Sequence, residues 1–139
     1  RDLEPATTAL SAAETGHLVL ATIHAPRVNL AISRFVDLFP FAYQQQARAQ
    51  LSDVVEGIIA QQLLPKAGSP GRVAACEVLL ATPEVRAAIR AADSTLLYDC
   101  MKRGGSGMAT MEQSLEHLYS QGIISLDEYR AHGVISSGL

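Results

Sequence analysis

The stretch Leu18-Val19-Leu20-Ala21-Thr22-Ile23 is a continuous apolar run bracketed by His17 and His24. Such a run, entered from a helix-forming segment, is typical of a strand covered on both faces of a parallel sheet. A strand of this kind needs parallel neighbours and a second layer. We therefore predict an α/β fold with a partial, mostly parallel sheet, and we expect sequence upstream of Arg1 to supply the missing neighbours.

The composition fits one domain with one core. The chain has 139 residues, of which 48% are hydrophobic and 18% charged, so it has enough apolar material to fold. Its formal charge of −3 gives no electrostatic support for nucleic-acid binding, and we expect no nucleic-acid partner. No apolar stretch reaches the ~20 residues of a transmembrane helix and no signal peptide opens the sequence, so we expect a cytoplasmic location.

The two cysteines, Cys76 and Cys100, lie far apart, and neither belongs to a C-x-x-C pair or to a Cys/His cluster at zinc spacing. We therefore predict neither a disulfide framework nor a metal site. The sequence opens on Arg1 without a methionine, inside what already reads as structured sequence. We expect it to be a piece of a longer protein.

Apolar spacing and capping residues predict the elements around the central run. We expect an α/β part over residues 1–81 and a helical region over 82–139. The predicted elements are a helix from Asp2 to Thr15 ending at Gly16, a helix from Val28 to Phe39, a longer helix with its stripe from Ala47 to Leu63, a β-hairpin of Leu63-Leu64 with Val73 to Leu80, helices capped by Thr82, Ser94, Thr110 and Ser125, a staple of Ile124 on Tyr129, and a loop from Gly104 to Gly107.

The two histidines are candidate site residues. Because side chains alternate along a strand, a separation of seven places His17 and His24 on opposite faces, so they cannot share a metal ion. Ligands of open parallel sheets gather outside the carboxyl ends of the strands, which favours His24. The alternative is that both are polar residues that end the strand and bond to the backbone.

Arg86 and Arg90 are four residues apart and so share one face of the helix that Thr82 caps. That spacing can grip a carboxylate or a phosphate-bearing partner, and the alternative is a solvated helix face. The glycines of Gly104 to Gly107 follow a helix, and no G-x-x-x-x-G-K-[ST] motif occurs in the chain. No acid–base pair or nucleophile motif is recognisable either, so the residues alone indicate no self-contained enzyme.

The block Glu14-Thr15-Gly16-His17-Leu18-Val19-Leu20-Ala21-Thr22-Ile23-His24 resembles the His box of secretion-superfamily ATPases, in particular the PilT-type retraction ATPases of type IV pili. The resemblance continues in order through Arg34 to Pro40, Gly71 to Leu80, Thr82-Pro83 and Gly107 to Leu115, and covers effectively the whole chain. It implies the C-terminal part of a RecA-like ATPase domain followed by a small helical bundle.

The resemblance also implies the setting of that domain. The first four residues would follow the Walker B strand, with the P-loop, or Walker A motif, and the other nucleotide-binding motifs upstream. The full-length protein would form a hexameric ring with ATP and Mg²⁺, and would act on the pilus platform protein at the cytoplasmic face of the inner membrane. His24 would face the γ-phosphate, while His17 would contact a neighbouring subunit or support the fold.

The stretch Glu84 to Ala91 is similar to the A-I-R-N-L-I-R-E motif that the family associates with retraction. It keeps Arg86 and Arg90, whereas Ala87 and Ala91 replace the asparagine and the last glutamate, whose hydrogen bonds it cannot make. Assembly and type II secretion relatives carry two C-x-x-C pairs for a structural zinc, and their absence here favours the retraction branch. The alternatives are such an assembly or secretion ATPase, and a non-catalytic helical interaction module.

Overall fold

The computed structural model of the chain describes residues 2–103, 105 and 107–133. Its elements are α1 (Leu3–Glu14), α2 (Val28–Val36), α3 (Phe41–Val54), β1 (Gly57–Pro65), β2 (Arg72–Leu80), α4 (Pro83–Ala91), α5 (Ser94–Lys102), α6 (Met111–Ser120) and α7 (Leu126–Gly133). Within these ranges no helix is both long enough and apolar enough to span a bilayer.

The hairpin of β1 and β2 is the centre of the fold. The strands pair antiparallel along their whole length, from Gly57 opposite Leu80 to Pro65 opposite Arg72. One face packs into the core, where α2, α4 and α5 cover Ala60 and Leu79 while α6 and α7 cover the other end. A third cluster joins α1 to α3. The hairpin therefore places the helical region beside α2, which follows the histidine-bearing segment.

The predicted helix starts at Thr82, Thr110 and Ser125 are confirmed. The Thr82 hydroxyl accepts the Val85 N–H at 3.3 Å. Thr110 and Gln113 form the full capping box, each side chain bonding the other's backbone N–H. Ser125 accepts the Glu128 N–H at 3.2 Å, and the predicted staple of Ile124 on Tyr129 belongs to the core under α6. These bonds span about one helical turn, so the sequence alone specifies them.

The helix that begins at Ser94 has a different cap from the predicted one. Asp93 is the N-cap residue and its carboxylate accepts the Leu96 N–H at 2.9 Å, while Ser94 is the first residue of α5. The predicted helix from Val28 ends at Val36, earlier than expected. Of the predicted loop, Gly104 and Ser106 lie outside the described residues.

The prediction of a parallel strand at residues 18–23 is wrong for this chain. The segment 17–25 has no strand or helix, and Leu18 and Leu20 are 83% and 88% exposed. Among the described residues, the only sheet is the antiparallel hairpin. A strand exists only when a neighbour satisfies its backbone N–H and C=O groups, and no described strand lies beside this segment.

The longest predicted helix is also wrong at its C-terminal end. α3 ends at Val54, Val55 is extended with φ −64° and ψ 132°, and the apolar residues from Ile58 to Leu63 belong to β1. Gly57 begins the strand where it approaches β2 closely, since a Cβ there would lie 3.1 Å from the Leu79 carbonyl oxygen. Pairing with β2 overrides the helical spacing, and the β-branched Ile58-Ile59 fits a strand well.

Candidate functional site

His24 lies in the segment between α1 and α2, and its side chain is exposed. Its backbone carbonyl accepts a hydrogen bond from the Arg34 guanidinium, which reaches back from α2. The imidazole borders an open cleft that is also lined by Ala6 of α1 and Phe35 of α2. An exposed imidazole can donate a hydrogen bond to a phosphate oxygen.

His17 has a different environment, although it is exposed as well. Its Nδ1 lies 3.1 Å from the Thr15 hydroxyl and 3.2 Å from the Ala12 carbonyl oxygen. The backbone N–H of His17 donates to the same carbonyl at 3.0 Å, just after Gly16 at φ +88° ends the helix. His17 therefore bonds the Ala12 carbonyl in the last turn of α1, and a bond to the backbone is the alternative that the sequence left open for it.

The predicted arginine pair contacts this chain itself. Arg86 Nη1 donates to the carbonyl oxygens of Ser52 and Asp53 at 2.9 and 2.7 Å, and its Nη2 lies 3.2 Å from Glu56 Oε1. Arg90 forms an ion pair with the Asp53 carboxylate. Arg86 thus binds carbonyls at the negative end of the α3 dipole, and Arg90 binds a side chain in the same turn, so both arginines connect α4 to the end of α3.

α3 also connects this arginine pair with the His17 end of α1. Gln50, in the last turns of α3, donates to Glu14 Oε1 at 2.9 Å, and Glu14 is the final residue of α1. The structure thus brings Arg86 and Arg90 together and links them through α3 to the helix that His17 caps. The segment between α1 and α2 has His17 at its α1 end and His24 near its α2 end.

The sequence analysis did not identify a partly buried cluster of charged side chains at the start of α2. Glu77 of β2 is only 4% exposed, and its carboxylate accepts the Val28 N–H at 2.7 Å. Arg27 lies between Glu77, at 3.8 Å, and Glu112 of α6, at 2.8 Å. Burial raises the pKa of Glu77, although the Val28 hydrogen bond and the Arg27 charge act against the increase. The one available signal was an acid inside the apolar run Val73 to Leu80.

Comparison with known proteins identifies the family. Residues 1–131 match the family model described as Type II/IV secretion system protein. The chain belongs to this family. The matched residues include the hairpin and the helix α4 that carries Arg86 and Arg90. They also include both histidines and the three charged residues around Arg27.

The relatives of this secretion-family chain include retraction ATPases. It is 41% identical over 131 residues to the type IV pilus retraction ATPase PilT of Pseudomonas aeruginosa, a match that covers 94% of this chain and 38% of that protein. It is equally similar to the twitching motility protein of Neisseria gonorrhoeae, at 41% identity over 94% of this chain and 35% of the relative. The chain thus spans little more than a third of these relatives.

The fold agrees with that of a solved relative. The structure of the pilus retraction motor PilT with bound ADP matches with a TM-score of 0.85 and 42% identity, over 98% of this chain and 38% of that chain. The α/β class and the resemblance to the C-terminal part of a retraction ATPase are confirmed. Among the described residues, no three His, Cys, Asp or Glu side chains converge as a metal ion requires.

Proposed function

We propose that the chain is the C-terminal part of a motor that hydrolyses ATP to retract type IV pili, and so drives twitching motility. The observation that carries this proposal is the 42% identity and TM-score of 0.85 to a pilus retraction motor, over 98% of the chain. The absence of the two C-x-x-C pairs supports the retraction branch, and the family membership favours a motor over an interaction module.

His24 is the residue through which this chain would act on the nucleotide. Its exposed imidazole can donate a hydrogen bond to a γ-phosphate oxygen and stabilise the charge on the transferred phosphoryl group. Mg²⁺ would accompany ATP as counter-ion.

Coupling would run through the helices. Arg86 and Arg90 fasten α4 to the end of α3, and Gln50 fastens α3 to the end of α1. Movement of α4 would therefore reach the segment that carries both histidines. We assign residues 1–81 to the ATPase core and 82–139 to the helical region that transmits its motion. The motor would be a hexameric ring that acts on the platform protein at the cytoplasmic face of the inner membrane.

A deletion strain tests this function. Loss of a retraction motor is expected to leave pili on the cell surface while twitching stops, and complementation with the intact gene should restore movement. A strain without surface pili would contradict the proposal and would assign the protein to the assembly or secretion ATPases of the same superfamily. Electron microscopy of the pili and a surface-motility assay together distinguish the two results.

A further inference from the structure

Arg27, Glu77 and Glu112 form a partly buried junction between three elements, here called the Arg27 junction. Arg27 immediately precedes α2, Glu77 lies in β2, and Glu112 is the second residue of α6. The Arg27 Nη1 atom lies 2.8 Å from Glu112 Oε1 and 3.8 Å from Glu77 Oε1. The junction therefore joins the hairpin and the C-terminal helices to the start of α2.

The geometry of the junction is closely determined by its charges. Glu77 accepts the first N–H of α2, from Val28, at 2.7 Å, so one carboxylate binds both the helix end and the guanidinium. A single cation lies between the two carboxylates, and burial makes separation of these charges costly. Arg27 Nη2 and Glu112 Oε2 are buried without a described protein partner and border a small cavity with Tyr98. That cavity has the polar lining that an ordered water needs.

Arg27 is three residues beyond His24, and the backbone between them has little freedom. Pro26 restricts its own φ and the conformation of Ala25, and its carbonyl accepts a 3.4 Å hydrogen bond from Gln62 of β1. At the other end, Arg34 donates to the carbonyl of His24. The segment 24–27 is thus fastened at both ends, by α2 at His24 and by the junction at Arg27.

We propose that the Arg27 junction positions His24 toward the terminal phosphate of bound ATP, with Arg27 as the positioning residue and Glu112 as its link to α6. This inference rests on the proposed role of His24. It adds a second route from the helical region to the nucleotide, separate from the route through α3 and α4. Displacement of α6 pulls on Glu112, and the guanidinium carries that displacement to the segment 24–27.

The test compares nucleotides that differ in the terminal phosphate, in the full-length ATPase that carries this chain. Arg27→Met keeps the length of the side chain and removes its charge. We expect this variant to bind a non-hydrolysable ATP analogue about tenfold more weakly, as for the loss of one hydrogen bond to a charged group. ADP affinity should not change, because ADP lacks the γ-phosphate that His24 would reach. Isothermal titration calorimetry measures both.

Matched variants distinguish a loss of His24 positioning from a general loss of the protein's structure. Arg27→Lys keeps the charge and should restore most of the lost affinity. Arg130→Met, an exposed arginine on α7, should bind both nucleotides as the parent does. His24→Ala should show the same selective loss, and combining it with Arg27→Met should cause no further loss, since both act through one contact. If Arg27→Met does not fold, Glu112→Gln, whose side chain is isosteric and partly exposed, takes its place with the same expected selectivity.

The results distinguish failure of this inference from failure of the proposed function. If His24→Ala still favours the ATP analogue as the parent does, the role assigned to His24 is wrong and the junction inference fails with it. If His24→Ala loses that preference while Arg27→Met and Glu112→Gln keep it, only the junction inference is overturned. Equal losses of ATP analogue and ADP in Arg27→Met would likewise overturn it, because they would indicate general damage.

Discussion

At the scale of single residues, the two histidines of the apolar segment have different surroundings. His17 bonds the last turn of α1, whereas the imidazole of His24 is exposed and only its backbone is held, by Arg34. A side chain already engaged in capping is less available for a ligand than an exposed one. The role of His24 at the nucleotide therefore stays a prediction, and the strand end from which it was argued is not formed.

The first prediction concerns His24. In the full-length ATPase, His24→Ala should lower kcat for ATP hydrolysis roughly a hundredfold, the effect of removing one hydrogen-bond donor that stabilises transition-state charge. His17→Ala should lower it much less, because His17 mainly caps α1. Steady-state phosphate release measures both variants. An unchanged kcat in His24→Ala would remove His24 from the proposed mechanism.

The second prediction concerns the pH dependence contributed by Glu77. Burial raises its pKa above the ordinary 4.5, so the folded protein holds this proton more tightly than the unfolded chain does. The resulting stabilisation is complete below pH 4.5 and is lost as the pH rises through the raised pKa. Glu77→Gln cannot titrate, so the melting temperature of the parent relative to this variant should fall over that interval.

Thermal unfolding of the full-length protein at stepped pH measures this difference. Glu116→Gln, which removes an exposed acid from α6, is the matched control and should show no comparable trend. A difference between parent and Glu77→Gln that grows as the pH rises would contradict the direction of the pKa shift.

At the scale of elements, α3 connects α1 with α4. Its C-terminal carbonyls bind Arg86, its last acid pairs with Arg90, and Gln50 on its side holds the end of α1. The arginine spacing that suggested a grip on a carboxylate is therefore used inside the chain. The partner is the negative end of a helix together with Asp53 and Glu56.

The third prediction compares the two arginines. Arg86→Met removes a partly buried hydrogen bond to the Ser52 carbonyl and an exposed one to the Asp53 carbonyl, and should lower the free energy of unfolding by about 1–3 kcal/mol. Arg90→Met removes an exposed ion pair and should cost less than about 1 kcal/mol. Urea unfolding of the full-length protein, with amide hydrogen exchange in α3 and α4 as the local probe, measures the change in both variants. Equal effects would show that Arg86 does not hold α3 as described.

At the scale of the whole molecule, the hairpin organises the helices on one face, while the apolar segment after α1 remains exposed. Leu18 and Leu20 have the composition of buried strand residues, yet no described strand pairs with them. We expect them to become buried in the complete motor, where strands from the rest of the polypeptide would lie alongside.

The fourth prediction follows from the phosphate-binding elements. The isolated 139-residue chain should not hydrolyse ATP, because its sequence has no G-x-x-x-x-G-K-[ST] motif to provide the lysine and backbone amides that hold the phosphates. A phosphate-release assay on the purified chain measures this, with the full-length protein as the positive control. Turnover that persists after removal of contaminating ATPases would contradict the assignment of the chain.

The sequence by itself determined the features that depend on neighbours within about one helical turn. It specified the caps at Thr82 and Thr110, and the His-box block carried the family resemblance. The tertiary structure decided whether the 18–23 run is a strand, where α3 ends, and which acids surround Arg27, whose partner Glu77 is 50 residues away. These outcomes depend on contacts between segments that are distant in sequence. The burial and hydrogen bonding that stabilise such contacts exist only after folding brings the segments together.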